Sequence, residues 1–321
     1  MLWLSIVVTL FMFIAVLLVS GNNLSACVGP AIGSRIISKR FGMLLGAGGF
    51  SLGLVIQGAG MTKTVNTLLP NGALQFRAEA LLVAILIFVV ADLLRAPMPV
   101  SMSLVGLFTG LSIANGTFTN GIYIAEVVIL WIVAPLIAII LSFCLIRAIN
   151  KVQPKNVWHR LQAYKILLIF LAFATSYVLG ANTIGLIVAT GGFNFLTVIL
   201  AIVAIFIGAF FLSAGEIRRV SQELFLMRYP NAMSTLLASA VLVEAATFFN
   251  IPLSNTQALS SAVFGASISY KSKFVSVKPF LMTVLSWVIA PFVSFVIGLV
   301  LAGIHFSGFD SILYVFIFRI N

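Results

Sequence analysis

Acidic side chains are scarce in this chain. Seven Asp and Glu stand against 18 Lys and Arg, charged residues of both signs make up only 8% of the sequence, and there are two histidines and two cysteines. Each shortage excludes something. Cys27 and Cys144 are far apart and lie in apolar sequence, whereas a zinc site needs closely spaced Cys or His pairs. Both are read as buried structural thiols, and no metal or organic cofactor is expected. His159 falls in a basic segment and His305 at the end of an apolar one; both read as surface positions. The sequence offers no paired His, Asp or Glu spacing of the kind that hydrolysis or metal chemistry uses, which argues against an enzyme. It offers no P-loop, so an ATP-driven pump would need another subunit.

The net charge of +11 comes from basic residues spread through short segments rather than gathered on one domain. That is a topology signal, not the footprint of a nucleic-acid binder.

Apolar residues are abundant, at 62% of the chain, with a mean hydropathy of +1.21. No soluble globular domain needs so much apolar surface, and no polar stretch is long enough to bury a core of its own. The chain reads as an all-α polytopic membrane protein, because long apolar runs between short basic loops are the pattern of helices rather than of alternating barrel strands. Ten segments are expected to cross: roughly 2–20, 41–60, 78–94, 97–115, 122–146, 162–190, 197–213, 231–249, 253–269 and 279–304. The first has no Lys or Arg before it and is read as an uncleaved span. With the N-terminus outside, 15 of the 18 basic residues fall in inside loops; Lys63, Arg77 and Arg319 do not. This orientation fits a plasma-membrane protein.

The two halves resemble each other. Trp131–Pro135 reads WIVAP and Trp287–Pro291 reads WVIAP; Pro97–Gly110 and Pro252–Gly265 share a Pro-initiated, small-residue pattern; SGNN at Ser20–Asn23 recurs as LGAN at Leu179–Asn182. The spacings are close to one value. Residues 1–146 and 166–321 are therefore expected to form two repeats of about five segments, joined by a basic cytoplasmic loop at 147–165. An odd number of spans per half puts the second half in the membrane upside down, which is an inverted-topology repeat and a common plan of secondary transporters.

Polar residues interrupt the apolar runs at matching places. Proline favours the first turn of a helix, and Ser or Thr nearby caps its free N–H groups. Pro252–Thr256 therefore reads as a helix start within the membrane, and Pro97–Ser101 as a weaker one. Gly21 and Gly180 are expected to let their helices unwind beside Asn23 and Asn182. Broken or re-entrant helices at the midplane would line a small polar chamber, with helix N-termini turned toward an anion. The expected substrate-binding residues are Asn23, Ser25, Ser101, Asn182, Thr183, Ser254, Asn255 and Thr256. Gly42, Gly46, Gly48, Gly49 and Gly53 read as helix-packing positions. Glu126 and Glu244 lie deep in apolar sequence and are candidates for carrying a coupling ion, while Glu79 and Asp92 lie near segment ends.

These motifs, in this order, resemble the inorganic phosphate transporter (PiT) family, which includes a sulfate permease branch. The family repeats a Gly-Ala/Ser-Asn-Asp-Val-x-Asn-Ala motif, matched here at Gly21–Val28 and Gly180–Ile187. It also repeats Pro-Val-Ser-Thr-Thr-His, to which Pro252–Gln257 is similar and Pro97–Met102 less so. Both motif aspartates are absent, with Leu24 and Thr183 in their places. The resemblance implies a symporter-type anion permease, with phosphate as substrate and sulfate, or another oxyanion, as the alternative. An anion channel is the further rival, although a channel has no need of internal inversion. Sulfate has no proton to give a carboxylate, so a site without aspartates suits it. The coupling ion, sodium or proton, stays open. The expected partners are the oxyanion and membrane lipid; a homodimer is allowed, and nucleic acid is not expected.

Overall fold

Helix α1 spans Leu2–Gly33 without one charged side chain and is about 48 Å long. It is the first of eleven helices in a computed structural model that describes residues 2–70, 72–93, 99–118, 120–151, 156–213, 229–270 and 277–306. Several expectations fall outside the described residues: Arg95, Pro97, Met98, Lys155, Arg218, Arg219, Arg228, Lys271, Lys273 and Arg319. The side chains of Asp92, Lys278 and His305 are outside them too. The helices that follow α1 are α2 (Lys39–Ile56), α3 (Met61–Leu68), α4 (Leu74–Leu93), α5 (Val100–Ala114) and α6 (Gly121–Lys151). Next come α7 (Val157–Gly191), α8 (Phe195–Leu212), α9 (Tyr229–Phe248), α10 (Asn255–Tyr270) and α11 (Val277–Phe306). No strand occurs among the described residues.

Seven of these helices are long and apolar enough to cross a bilayer: α1, α2, α6, α7, α8, α9 and the Phe280–Ala302 part of α11. That is fewer than the ten crossings expected. The other three expected crossings fall on α4, α5 and α10, of which α5 and α10 are short. With 15 and 16 residues, they reach about 22 and 24 Å, short of a hydrocarbon core of about 30 Å. The prolines at their starts delay helix formation, and each lies against a long partner, α5 on α11 and α10 on α6. The basic connector is also more helical than expected, because α6 runs to Lys151 and α7 begins at Val157.

The repeat seen in the motifs extends to whole elements. Helices α1 and α7 begin at residues 2 and 157, α2 and α8 at 39 and 195, and α4 and α9 at 74 and 229. Helices α5 and α10 begin at 100 and 255, and α6 and α11 at 121 and 277. The halves also interlock reciprocally. Helix α5 packs on α11 while α10 packs on α6, and α2 packs on α7 while α1 packs on α8. A Cβ on Gly110 would collide with the carbonyl of Phe295, and one on Gly265 with the carbonyl of Ile139.

The outside of the bundle is apolar, and a set of polar side chains is buried within its apolar core. Ile132, Leu136 and Ile140, one turn apart on α6, are exposed, as are Val288 and Phe292 on α11. Such a surface suits lipid rather than water. Ser101, Ser112, Thr175, Ser176, Asn182 and Ser239 are buried, among large core residues such as Phe50, Phe108 and Met12.

Four local expectations are corrected. Helix α1 does not unwind at Gly21 but continues through Asn22 and Asn23. A glycine inside a helix costs about 1 kcal/mol, and close packing offsets it here: a Cβ on Gly21 would lie 2.6 Å from Cβ of Leu212 on α8. At the second copy the helix widens without breaking, and Gly180–Ile184 forms a π-helical segment within α7. Gly48 faces open space, so it packs against nothing. Cys27 is buried, but Cys144 lies on the exposed face of α6.

Candidate functional site

Helices α5 and α10 both begin at one small cavity. Its walls are Asn23 of α1, Val100 and Ser101 of α5, Thr183 of the π-helical segment, and Ser254, Asn255 and Thr256 at the start of α10. The free volume is about 10 Å³, room for about one water molecule. Every residue of the lining is electrically neutral.

The chemistry starts with backbone geometry. The first N–H groups of a helix have no acceptor within it, and they carry the positive end of the helix dipole. In α5 the first helical bond runs from Ser103 N–H to the Pro99 carbonyl at 3.1 Å, and Pro99 offers no side-chain cap. In α10 the first runs from Ala258 N–H to the Ser254 carbonyl at 3.1 Å. Ser254 Oγ accepts the N–H of Gln257 at 3.4 Å and shares a hydrogen with Thr256 Oγ1 at 2.8 Å. Both helix N-termini thus lie at the wall of the cavity. Ser101 is 1% exposed, and its hydroxyl has no hydrogen-bond partner. A buried hydroxyl of that kind is costly unless a ligand or water satisfies it.

Six of the eight residues singled out from the sequence line this cavity. The other two do not. Ser25 donates to the Asn22 carbonyl at 2.8 Å within α1. Asn182 is occupied by the link between α9 and α10. Its Nδ2 donates to Thr247 Oγ1 at 3.0 Å and to the Ile251 carbonyl at 3.1 Å, and its Oδ1 accepts the N–H of Leu253 at 3.2 Å. Asn255 has a double role. It lines the cavity, accepts from Ser239 Oγ at 2.9 Å, and donates to Cys27 Sγ at 3.7 Å.

Neither acid reaches the cavity. Glu126 is exposed on α6. Glu244 on α9 accepts from Gln57 Nε2 at 2.8 Å, while its second carboxylate oxygen is buried with no partner. No group of three or more potential metal ligands exists among the described residues.

Residues outside the expected binding set hold the site in place. The Trp131 indole donates to the Pro252 carbonyl at 3.0 Å, fixing the turn ahead of α10. Thr64 and Tyr123 both donate to the carbonyl of Asn250, at the positive-φ corner after α9. Trp131 belongs to a repeated motif, so the repeat was a signal for it. Thr64 and Tyr123 carry none.

Known proteins resemble this chain in sequence and in fold. A sequence profile of the phosphate transporter family matches residues 19–179 and 150–298. A protein of Methanocaldococcus jannaschii bearing the name of a phosphate permease is 22% identical over 292 residues, 90% of this chain and 94% of that protein. The sulfate permease CysP of Bacillus subtilis is 26% identical over 302 residues, 89% of this chain and 84% of its own length. A solved structure titled the sodium-dependent phosphate transporter shares the fold with a TM-score of 0.81 at 17% identity, covering 93% of this chain and 98% of that one. With its apolar exterior and seven membrane-capable helices, this chain is an integral, multi-pass membrane protein that belongs to the phosphate transporter family.

Proposed function

We propose that the protein is a secondary-active permease that moves a tetrahedral oxyanion, inorganic phosphate first, by alternating access of two inverted halves. The observation that carries the reading is the meeting of two helix N-termini, one from each half, at a neutral cavity with an unpartnered hydroxyl. Each N-terminus contributes about half a positive charge, so the pair supplies about one. Divalent phosphate or sulfate carries two negative charges, which leaves about one uncompensated. A co-transported sodium ion or proton offsets that remainder, which is the physical case for symport. Serine, threonine and asparagine replace the anion's hydration shell.

The cavity has room for about one water, so α5 and α10 must separate for an anion to enter. The reciprocal pairs, α5 on α11 and α10 on α6, give the two halves equivalent gates. Opening one while the other stays shut exposes the site to each side in turn. Glu244 is the candidate for the coupling ion, since its partner Gln57 belongs to the other half and one carboxylate oxygen is unsatisfied. The bias of the basic loops supports an N-terminus outside, in the plasma membrane.

Sulfate is the second reading, favoured by the absence of any carboxylate from the lining. Phosphate has a proton to donate to such an acceptor; sulfate has none. Purified protein in liposomes, offered labelled phosphate or sulfate with and without a sodium or proton gradient, tests both. Gradient-driven accumulation of one anion is expected. Large unitary currents without accumulation would replace the permease by a channel, and uptake of neither anion would end the reading.

A further inference from the structure

Pro135 lies inside α6 and has no N–H, so the carbonyl of Trp131, four residues earlier, loses the donor that an uninterrupted helix supplies. A side chain from the other half takes that donor's place: Nε2 of Gln257 donates to the Trp131 oxygen at 2.9 Å. A carbonyl only accepts, so the contacting atom is the amide nitrogen. Oε1 of Gln257 is buried with no partner, and the residue is 2% exposed. Its position is thus set by one strong contact. The same tryptophan holds the chain a second time, through its indole N–H to the Pro252 carbonyl. Two bonds therefore join α6 to the start of α10, one on each side of Ser254 and Thr256, which line the cavity. Gln257 also donates its backbone N–H to Ser254 Oγ.

Among the described residues the other half shows no such clamp. Pro291 lies inside α11, four residues after Trp287, but the element spacing puts Met102 opposite Gln257, and a thioether has no hydrogen to donate. The Trp287 indole nitrogen is buried without a partner.

We infer that Gln257 is a positioning residue for the anion site, holding the N-terminus of α10 in register on α6 by supplying the hydrogen bond that Pro135 cannot. This deepens the oxyanion-permease reading and rests on it. Four chains test it: the wild type, Q257M, P135A and the double variant P135A/Q257M. Q257M keeps the side-chain length and removes the donor, while P135A returns to Trp131 its helical N–H and makes the amide redundant. Losing one buried hydrogen bond next to the site raises the KM for uptake by roughly tenfold, with Vmax altered far less, and lowers the Tm in detergent. In the P135A background the same substitution leaves KM and Tm nearly unchanged. An equal effect of Q257M in both backgrounds, or none in either, overturns the inference. Should P135A alone stop uptake, the Tm cycle decides: a drop on Q257M that persists in the P135A background refutes the role. Should the wild type take up neither phosphate nor sulfate, the transport reading fails while the Tm cycle still tests Gln257.

Discussion

Oδ1 of Asn182 accepts the backbone N–H of Leu253 at 3.2 Å, while its Nδ2 donates to Ile251 and Thr247. One amide thus satisfies three groups around the non-helical stretch between α9 and α10, where backbone polar atoms have no helix to satisfy them. The asparagine of the second repeated motif shapes the start of α10 from behind.

Asn182→Ala removes all three bonds at once. It is expected to cost about 2–3 kcal/mol, lowering the Tm in detergent and abolishing uptake together. Loss of uptake with an unchanged Tm would place Asn182 on the substrate instead.

Ser101→Ala is expected to behave in the opposite way. The hydroxyl has no partner in the protein, so its removal leaves the Tm unchanged or raises it. A hydrogen bond to a charged ligand is worth more than a neutral one, so KM should rise about tenfold or more. Ser103 is a built-in control. Its hydroxyl is also buried and unpartnered, but it is not part of the cavity lining. Ser103→Ala should leave KM alone, and equal effects of the two substitutions would remove Ser101 from the site.

Gly110→Ala and Gly265→Ala should damage the protein alike, because each Cβ meets a backbone carbonyl of the partner helix, at Phe295 and Ile139. Backbone moves less readily than a side chain, and overpacking of this kind costs about 1–3 kcal/mol or more. Yields of folded protein from membranes should fall for both. Gly48→Ala, which meets nothing within 4 Å, should match the wild type.

Glu244→Gln separates the two coupling ions. It keeps a side chain of the same length beside Gln57 but cannot release a proton. If protons drive uptake through Glu244, the variant still exchanges labelled for unlabelled anion but no longer accumulates it on a pH gradient. Glu126→Gln, at an exposed position, should retain accumulation. Sodium-driven accumulation that survives Glu244→Gln would move the coupling site elsewhere.

Much of the architecture was legible. Apolar runs located the long helices, because crossing lipid demands unbroken backbone hydrogen bonding over a fixed length. The Trp-Pro and Pro-initiated motifs gave the internal repeat, and the helix starts reproduce its spacing of 155 or 156 residues. The start of α10 was readable as well, since proline followed by Ser and Thr is local chemistry. Less legible was the fate of Gly21. Glycine is compatible both with unwinding and with close approach, and only the presence of Leu212 within 2.6 Å of its Cβ position decides between them. Cys144 was misplaced because α6 is apolar all round, and hydropathy cannot separate a lipid-facing side from a protein-facing one.

The sequence by itself determined a helical membrane protein of two related halves, whose polar interruptions fall at matching positions. Those properties follow from the cost of burying unpaired polar groups and charges in hydrocarbon, a cost that each segment bears alone. Tertiary structure alone decided which polar residues face the cavity and which serve the frame. Asn23 and Asn182 occupy equivalent motif positions, but one lines the chamber and the other is consumed by Thr247, Ile251 and Leu253. An amide has the same donors and acceptors wherever it stands, so its role is set by the partners that the folded chain brings within about 3 Å of it.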